Sequence, residues 1–131
     1  TVSTQALSGT GGLRLCFEFL KRFYPDKTVY VPSCTWSNHW NVLKDAGVAA
    51  EPYSYLDASG LRLDWAAALK DLEAADDGSV VLLHLCAHNP SGVDPTREQW
   101  ETLAELCAKK GFLPAASHIR ESSRSHPARS T

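Results

Sequence analysis

Val80, Val81, Leu82 and Leu83 form an unbroken apolar run, and no other stretch restricts the fold as sharply. A strand with one wet face alternates. A strand without alternation needs cover on both faces, as inside a parallel sheet. The run continues into His84, Cys86, His88 and Asn89, then stops at Pro90-Ser91-Gly92, residues that leave a strand and cannot extend its ladder. Polar, titratable groups at the exit of a buried strand are what an α/β fold places at the carboxyl end of its sheet, where ligands bind. The same residues also fit a core strand followed by an ordinary turn.

The flanking segments supply the cover. After a small-residue turn over 6–12, Leu13, Phe17, Leu20 and Tyr24 recur at helical spacing, with Cys16 and Phe23 widening the stripe. Residues 28–32 are β-branched and aromatic and read as a strand. Residues 36–46 read as a helix, with Trp36, Trp40 and Leu43 on one stripe and Gly47 as its stop. Residues 48–56 fit a strand that Pro52 confines to an edge or a bulge. Asp64 is a candidate N-cap for a helix with Trp65, Leu69 and Leu72 on one face. Thr96 and Gln99 spell a capping box ahead of a helix whose inner face is Trp100, Leu103, Ala104 and Cys107. Lys109-Lys110-Gly111 closes that helix, and Phe112-Leu113-Pro114 opens one more strand. Such alternation predicts an α/β fold, three layers (α/β/α) around a mainly parallel sheet.

Residues 115–131 break the pattern. They hold serines and the arginines Arg120, Arg124 and Arg129, with Ile119 as the one large aliphatic side chain. Too little apolar surface is available to offset the cost of ordering, which predicts a disordered tail after a domain over 1–114.

At 131 residues, 44% hydrophobic and 21% charged, the chain has the composition of one globular domain. Its formal net charge of −2 gives no reason to expect a nucleic-acid or anionic-membrane partner. No apolar run approaches the roughly 20 residues of a membrane helix. The chain neither begins with Met nor contains one, as expected of a piece of a longer protein. Cys16, Cys34, Cys86 and Cys107 are too scattered for a disulfide scaffold and are expected to be free, mostly buried thiols in a reducing compartment.

Three stretches carry candidate chemistry. Ser8-Gly9-Thr10-Gly11-Gly12 ahead of a helix is an anion cradle: backbone N–H groups are accessible and the helix dipole favours negative charge. It also reads as a plain glycine-rich helix start, and it matches no nucleotide fingerprint. Trp36, with Asn38 and His39, could stack on a planar ring or simply pack into a core. His84, Cys86 and His88, with His39, invite a metal reading, since alternate residues of an extended strand share a side. Standard zinc spacing is absent, and no metal is expected.

Together these stretches, 6–14, 31–39 and 84–95, resemble aspartate aminotransferases, which use pyridoxal 5′-phosphate (PLP). Asp45-Ala46-Gly47, residues 53–57 and Glu98-Gln99-Trp100 match as well, so the resemblance covers about residues 1–114. It implies part of the large, cofactor-binding domain of a homodimeric enzyme. That enzyme moves an amino group between L-aspartate and 2-oxoglutarate, giving oxaloacetate and L-glutamate, in the cytoplasm or alternatively the mitochondrion. It implies that Ser8, Gly9 and Thr10 hold the PLP phosphate, and that Trp36 stacks on the pyridine ring and borders the substrate. Asn89 would bond the phenolic oxygen and help bind the substrate carboxylate, with His39 and His84 behind the ring.

The departures are as specific. No residue matches the family's Schiff-base lysine or its substrate-gripping arginines, so no catalytic residue is assigned and the chain alone is expected to be inactive. Residues 115–120 lack the family's aspartate and tyrosine, as a frameshift, a misjoined exon or a truncation would produce. Cys34 stands where the family usually has a proline, so the loop carrying Trp36 is expected to sit differently. The alternative function is a non-catalytic fragment that binds PLP or phosphate weakly, or associates with a full-length subunit.

Overall fold

A computed structural model describes residues 2–117. Helices α1 (Ser8–Phe23), α2 (Asn38–Asp45), α3 (Trp65–Ala74) and α4 (Arg97–Lys110) alternate with strands β1 (Val29–Pro32), β2 (Ala50–Tyr53), β3 (Val80–His84) and β4 (Leu113–Ser117). The strands form one parallel sheet in the order β2-β1-β3-β4. The α/β fold with a parallel sheet is as the sequence predicts. β3 lies inside the sheet and all five of its residues are buried, which is what its lack of alternation demands. β2, with Pro52, is an edge strand, where a missing N–H costs no ladder bond.

The helices divide between the two faces. Phe17 and Leu20 of α1 and Val42 and Leu43 of α2 pack on Val29, Val31, Val80 and Leu82. Ala68 and Leu72 of α3 and Leu103 and Leu106 of α4 pack with Tyr53, Tyr55, Val81 and Leu83 on the other face. The alternating side chains of β3 therefore feed two cores. Fully burying a Val or Leu is worth about 1.5–3 kcal/mol, so this strand anchors both.

The chain passes outward from β1 to β2, then crosses back over β1 to reach β3. That reversal puts a topological switch point between β1 and β3, and the crevice beyond their carboxyl ends is where open parallel sheets bind ligands. Among the described residues no helix is long and apolar enough to cross a membrane.

Several local expectations need correction. α1 starts at Ser8, so the expected turn over 6–12 is largely its first turns. Phe23 is its last residue, 58% exposed, and Tyr24 caps it at 40% exposed, so neither joins the buried stripe. α2 starts at Asn38, leaving Trp36 in the preceding loop. The thiols are free but less buried than expected: Cys16, Cys34 and Cys107 are half-buried and Cys86 is exposed. Residues 115–117, assigned by composition to the tail, complete β4, because the full length of β3 offers them a ladder from Val80↔Leu113 to His84↔Ser117. The remainder of the expected tail, 118–131, lies outside the described residues.

Candidate functional site

α1 begins without protection. Leu7 occupies its N-cap position and offers no side-chain acceptor, and its first turn holds no acidic residue. The first intrahelical bond runs from Gly11 N to Leu7 O at 3.2 Å, so the N–H groups of Ser8, Gly9 and Thr10 have no partner within the helix. Ser8 is left-handed (φ 61) just before the helical course of Gly9. Such a reversal turns successive N–H groups into a concave nest for an anion. A Cβ on Gly9 would meet no atom within 4 Å, so this end of the helix is open to a ligand.

The loop after β1 supplies the second wall. Trp36 is half-buried, and its carbonyl accepts the His39 N–H at 2.9 Å. The two rings meet edge-on, with centroids 5.6 Å apart. The peptide before Cys34 is trans, yet the loop still delivers Trp36 to the crevice. The exit of β3 supplies the third wall through His84 and Asn89.

These walls close on a cavity of about 290 Å³ lined by Ser8, Gly9, Thr10, Leu13, Trp36, His39, His84, Asn89 and Ser117. All seven residues singled out from the sequence meet there, although they come from three separate stretches. Ser117 was missed because its segment reads as tail, and only the register of β4 against β3 brings it to the crevice.

His39 and His84 are joined in a hydrogen-bonded row through Thr35, which sequence reasoning also missed. Thr35 Oγ1 lies 2.8 Å from His39 Nδ1 and 3.0 Å from His84 Nε2, while Asn89 N–H donates to His84 Nδ1 at 3.4 Å. One proton arrangement satisfies all three contacts of the row. His84 accepts at Nδ1, so its proton sits on Nε2 and is donated to Thr35. The Thr35 hydroxyl then donates to His39 Nδ1, and His39 keeps its proton on Nε2, for which no protein acceptor exists among the described residues. The i, i+4 spacing of Thr35 and His39 was the one signal of this link.

Electrostatics agree with neutral rings. Burial, then the proximity of His84, pushes His39 down to about 4. Burial lowers His84 as well, opposed by the Asp94 carboxylate. His88, stacked on Tyr55 with centroids 3.8 Å apart, is pushed down to about 4, first by burial and then by His84. Its Nδ1 lies 2.8 Å from Ser91 Oγ, and its Nε2 is buried without a partner.

The metal geometry considered from sequence does not form. β3 ends at His84, so residues 84, 86 and 88 do not share a side of an extended strand. Cys86 is exposed while His88 is buried, and among the described residues no three His, Cys, Asp or Glu side chains converge to hold an ion.

A parallel α/β sheet with a helix N-terminus, an indole and a free amide around its switch-point crevice has the architecture of a ligand-binding α/β domain. Residues 1–116 match the family described as aminotransferase class I and II. The chain belongs to that family. It is 47% identical over 111 residues to the mitochondrial aspartate aminotransferase of Dictyostelium discoideum, covering 85% of this chain and 26% of that protein. It is 48% identical over 112 residues to the cytoplasmic aspartate aminotransferase of Oryza sativa subsp. japonica, covering 86% of this chain and 28% of that one. Among solved structures, aspartate aminotransferase from Saccharomyces cerevisiae cytoplasm superposes with a TM-score of 0.86 at 38% identity, over 89% of this chain and 28% of that one. The chain thus spans about a quarter of the length of the relatives it matches.

Proposed function

We propose that the whole protein exchanges amino groups between L-aspartate and 2-oxoglutarate with PLP, and that residues 1–114, with the rest of β4, are part of its PLP-binding large domain. The observation that supports this is the meeting of Ser8, Gly9, Thr10, Trp36, His39, His84 and Asn89 around one cavity of about 290 Å³. That volume is at the lower end of ligand pockets, about 300–1,000 Å³, and suits a small cofactor.

The residues present fit PLP. The unpartnered N–H groups of 8–10 suit a phosphate at a helix N-terminus, with the Ser8 and Thr10 hydroxyls beside them. Trp36 offers a flat face to a pyridine ring. The Asn89 amide makes no side-chain hydrogen bond among the described residues, which leaves it to donate to a phenolic oxygen and to a substrate carboxylate. Bound PLP supplies an electron sink. The neutral His39–Thr35–His84 row would back the ring and holds a proton on His39 Nε2. No lysine or arginine is among the described residues lining the cavity, which fits a chain that by itself binds the cofactor without transaminating.

Equilibrium dialysis of the 131-residue chain against PLP tests the binding. We expect retention, weakened about tenfold by Trp36→Ala or by Asn89→Ala. No retention would sink the reading, and turnover in an aspartate/2-oxoglutarate assay would overturn the inactivity. A second reading, association with a full-length homodimeric subunit, is favoured by the outer face of α1, where Leu15, Phe19 and Phe23 are exposed. Pull-down with an intact subunit tests it, and the cytoplasmic and mitochondrial forms of the relatives are the natural partners to try.

A further inference from the structure

Ser8 and Ala87 are the non-glycine residues in the left-handed region among those described, at φ 61 and φ 50. Ser8 is part of the open nest at α1. Ala87 lies two residues before Asn89, and the N–H groups around it are not open. Ala87 N donates to Asp94 Oδ2 at 2.8 Å and His88 N donates to Asp94 Oδ1 at 2.9 Å. Both carboxylate oxygens are thus spent on two successive N–H groups. An internal anion fills the kind of concavity that elsewhere takes a ligand.

Asp94 is itself tied down on both sides. Tyr55 Oη donates to the neighbouring Val93 O at 2.7 Å, and Val93 N donates to Ser91 Oγ at 3.1 Å. Thr96, two residues on, caps α4. The direct hold on Asn89, its N–H on His84 Nδ1, is long at 3.4 Å, and its side chain is unpartnered. The direction of that amide therefore depends on the course of the backbone through Ala87 and His88.

We propose that Asp94 is a positioning residue: its carboxylate locks the left-handed turn at Ala87 and so aims the Asn89 amide into the cavity. The inference rests on the PLP reading only for what Asn89 meets there.

Equilibrium dialysis against PLP and, separately, inorganic phosphate compares Asp94→Ala, Asp94→Asn, Asn89→Ala and the Asp94→Ala/Asn89→Ala pair. We expect Asp94→Ala to weaken PLP binding about tenfold, as Asn89→Ala does. The pair should be no weaker than Asn89→Ala alone, and Asp94→Asn, with one acceptor left, should fall between. Phosphate affinity should not change, because the Ser8 nest is on another element. The pH at which bound PLP's phenol ionises, followed by absorbance, should rise alike in Asp94→Ala and Asn89→Ala, a shift that loss of general stability would not produce. Multiplied losses in the pair, unchanged PLP affinity in Asp94→Ala, or an equal loss of phosphate binding overturns the proposal. If Asp94→Ala does not fold, Asp94→Asn carries the same comparisons. If the parent chain binds phosphate but not PLP, the PLP reading fails, and amide exchange decides on Asp94. Faster exchange at 87–89 in Asp94→Asn with β3 unchanged supports the clamp, and no change there overturns it.

Discussion

Helices α1 and α4 begin in opposite ways. α4 is closed by its own side chains: Thr96 Oγ1 accepts from Gln99 N at 3.3 Å, Gln99 Oε1 accepts from Thr96 N at 2.8 Å, and Glu98 adds negative charge to the first turn. α1 has leucine at its N-cap and no acid in its first turn, yet its last turn carries Lys21 and Arg22. A cap is worth about 1 kcal/mol, and an acid in the first turn typically 0.3–1. α1 forgoes both at the end that faces the cavity, and Ser8 adds a left-handed backbone that costs about 1–3 kcal/mol. The difference is what the proposed site requires, an end of α1 left open to an outside anion, whereas the end of α4 is closed by the chain itself.

The largest effect that sharpens this contrast is acid sensitivity. His39 and His88 fall from the ordinary 6.5 to about 4 in the folded chain. The unfolded chain then binds more protons between those values, so stability is full above pH 6.5 and is lost as pH falls toward 4. The loss is up to roughly 3 kcal/mol per imidazole. Urea unfolding across that window should show it. His88→Gln should flatten the dependence, whereas Thr96→Ala should run parallel to the parent from pH 6.5 to about 5, above the range where Glu98, whose carboxyl its own backbone N–H and the Thr96 side chain help hold low, begins to titrate. A changed slope in Thr96→Ala would break the division.

Next is Leu7→Asp, which gives α1 the cap it lacks. Stability should rise by about 1 kcal/mol, while phosphate affinity drops about tenfold as the new carboxylate occupies the free N–H groups. Unchanged phosphate binding in dialysis would show that the helix end is not the anion site. Thr96→Ala should do the reverse, costing about 1 kcal/mol in urea unfolding with phosphate binding untouched. The smallest effect belongs to what the helices share. Arg14–Glu18 on α1 and Arg97–Glu101 on α4 are exposed i,i+4 pairs. Removing either arginine should cost about 0.3 kcal/mol, measured at low and high salt.

Features written in neighbouring residues were legible from the sequence. The capping box, the Asp64 cap and the left-handed Gly111 stop all formed as read. So did the buried course of β3, since apolar periodicity is itself a record of burial. That seven residues from three stretches face one crevice was also legible, because their types and spacings carry a family pattern. What escaped was set by tertiary placement. Glycine, serine and threonine have low helix propensity, which hid the start of α1, and small residues hid the end of β4 until β3 supplied its ladder. Thr35 and Asp94 look like ordinary loop residues, and their partners His84 and Ala87 are settled by strand order and by one backbone angle.

Val80 sits beside Val29 on one side and Leu113 on the other, and neither neighbour is close in sequence. No hairpin can start such a strand, so chain closure must come before its pairing, and parallel topologies of this kind fold slowly. Until then the most apolar stretch of the chain is bare, with the composition that seeds aggregation. Asp76 and Asp77 just before it and Pro90 just after it are gatekeepers in that interval. The strand that joins both cores is thus also the segment most in need of protection while the protein folds.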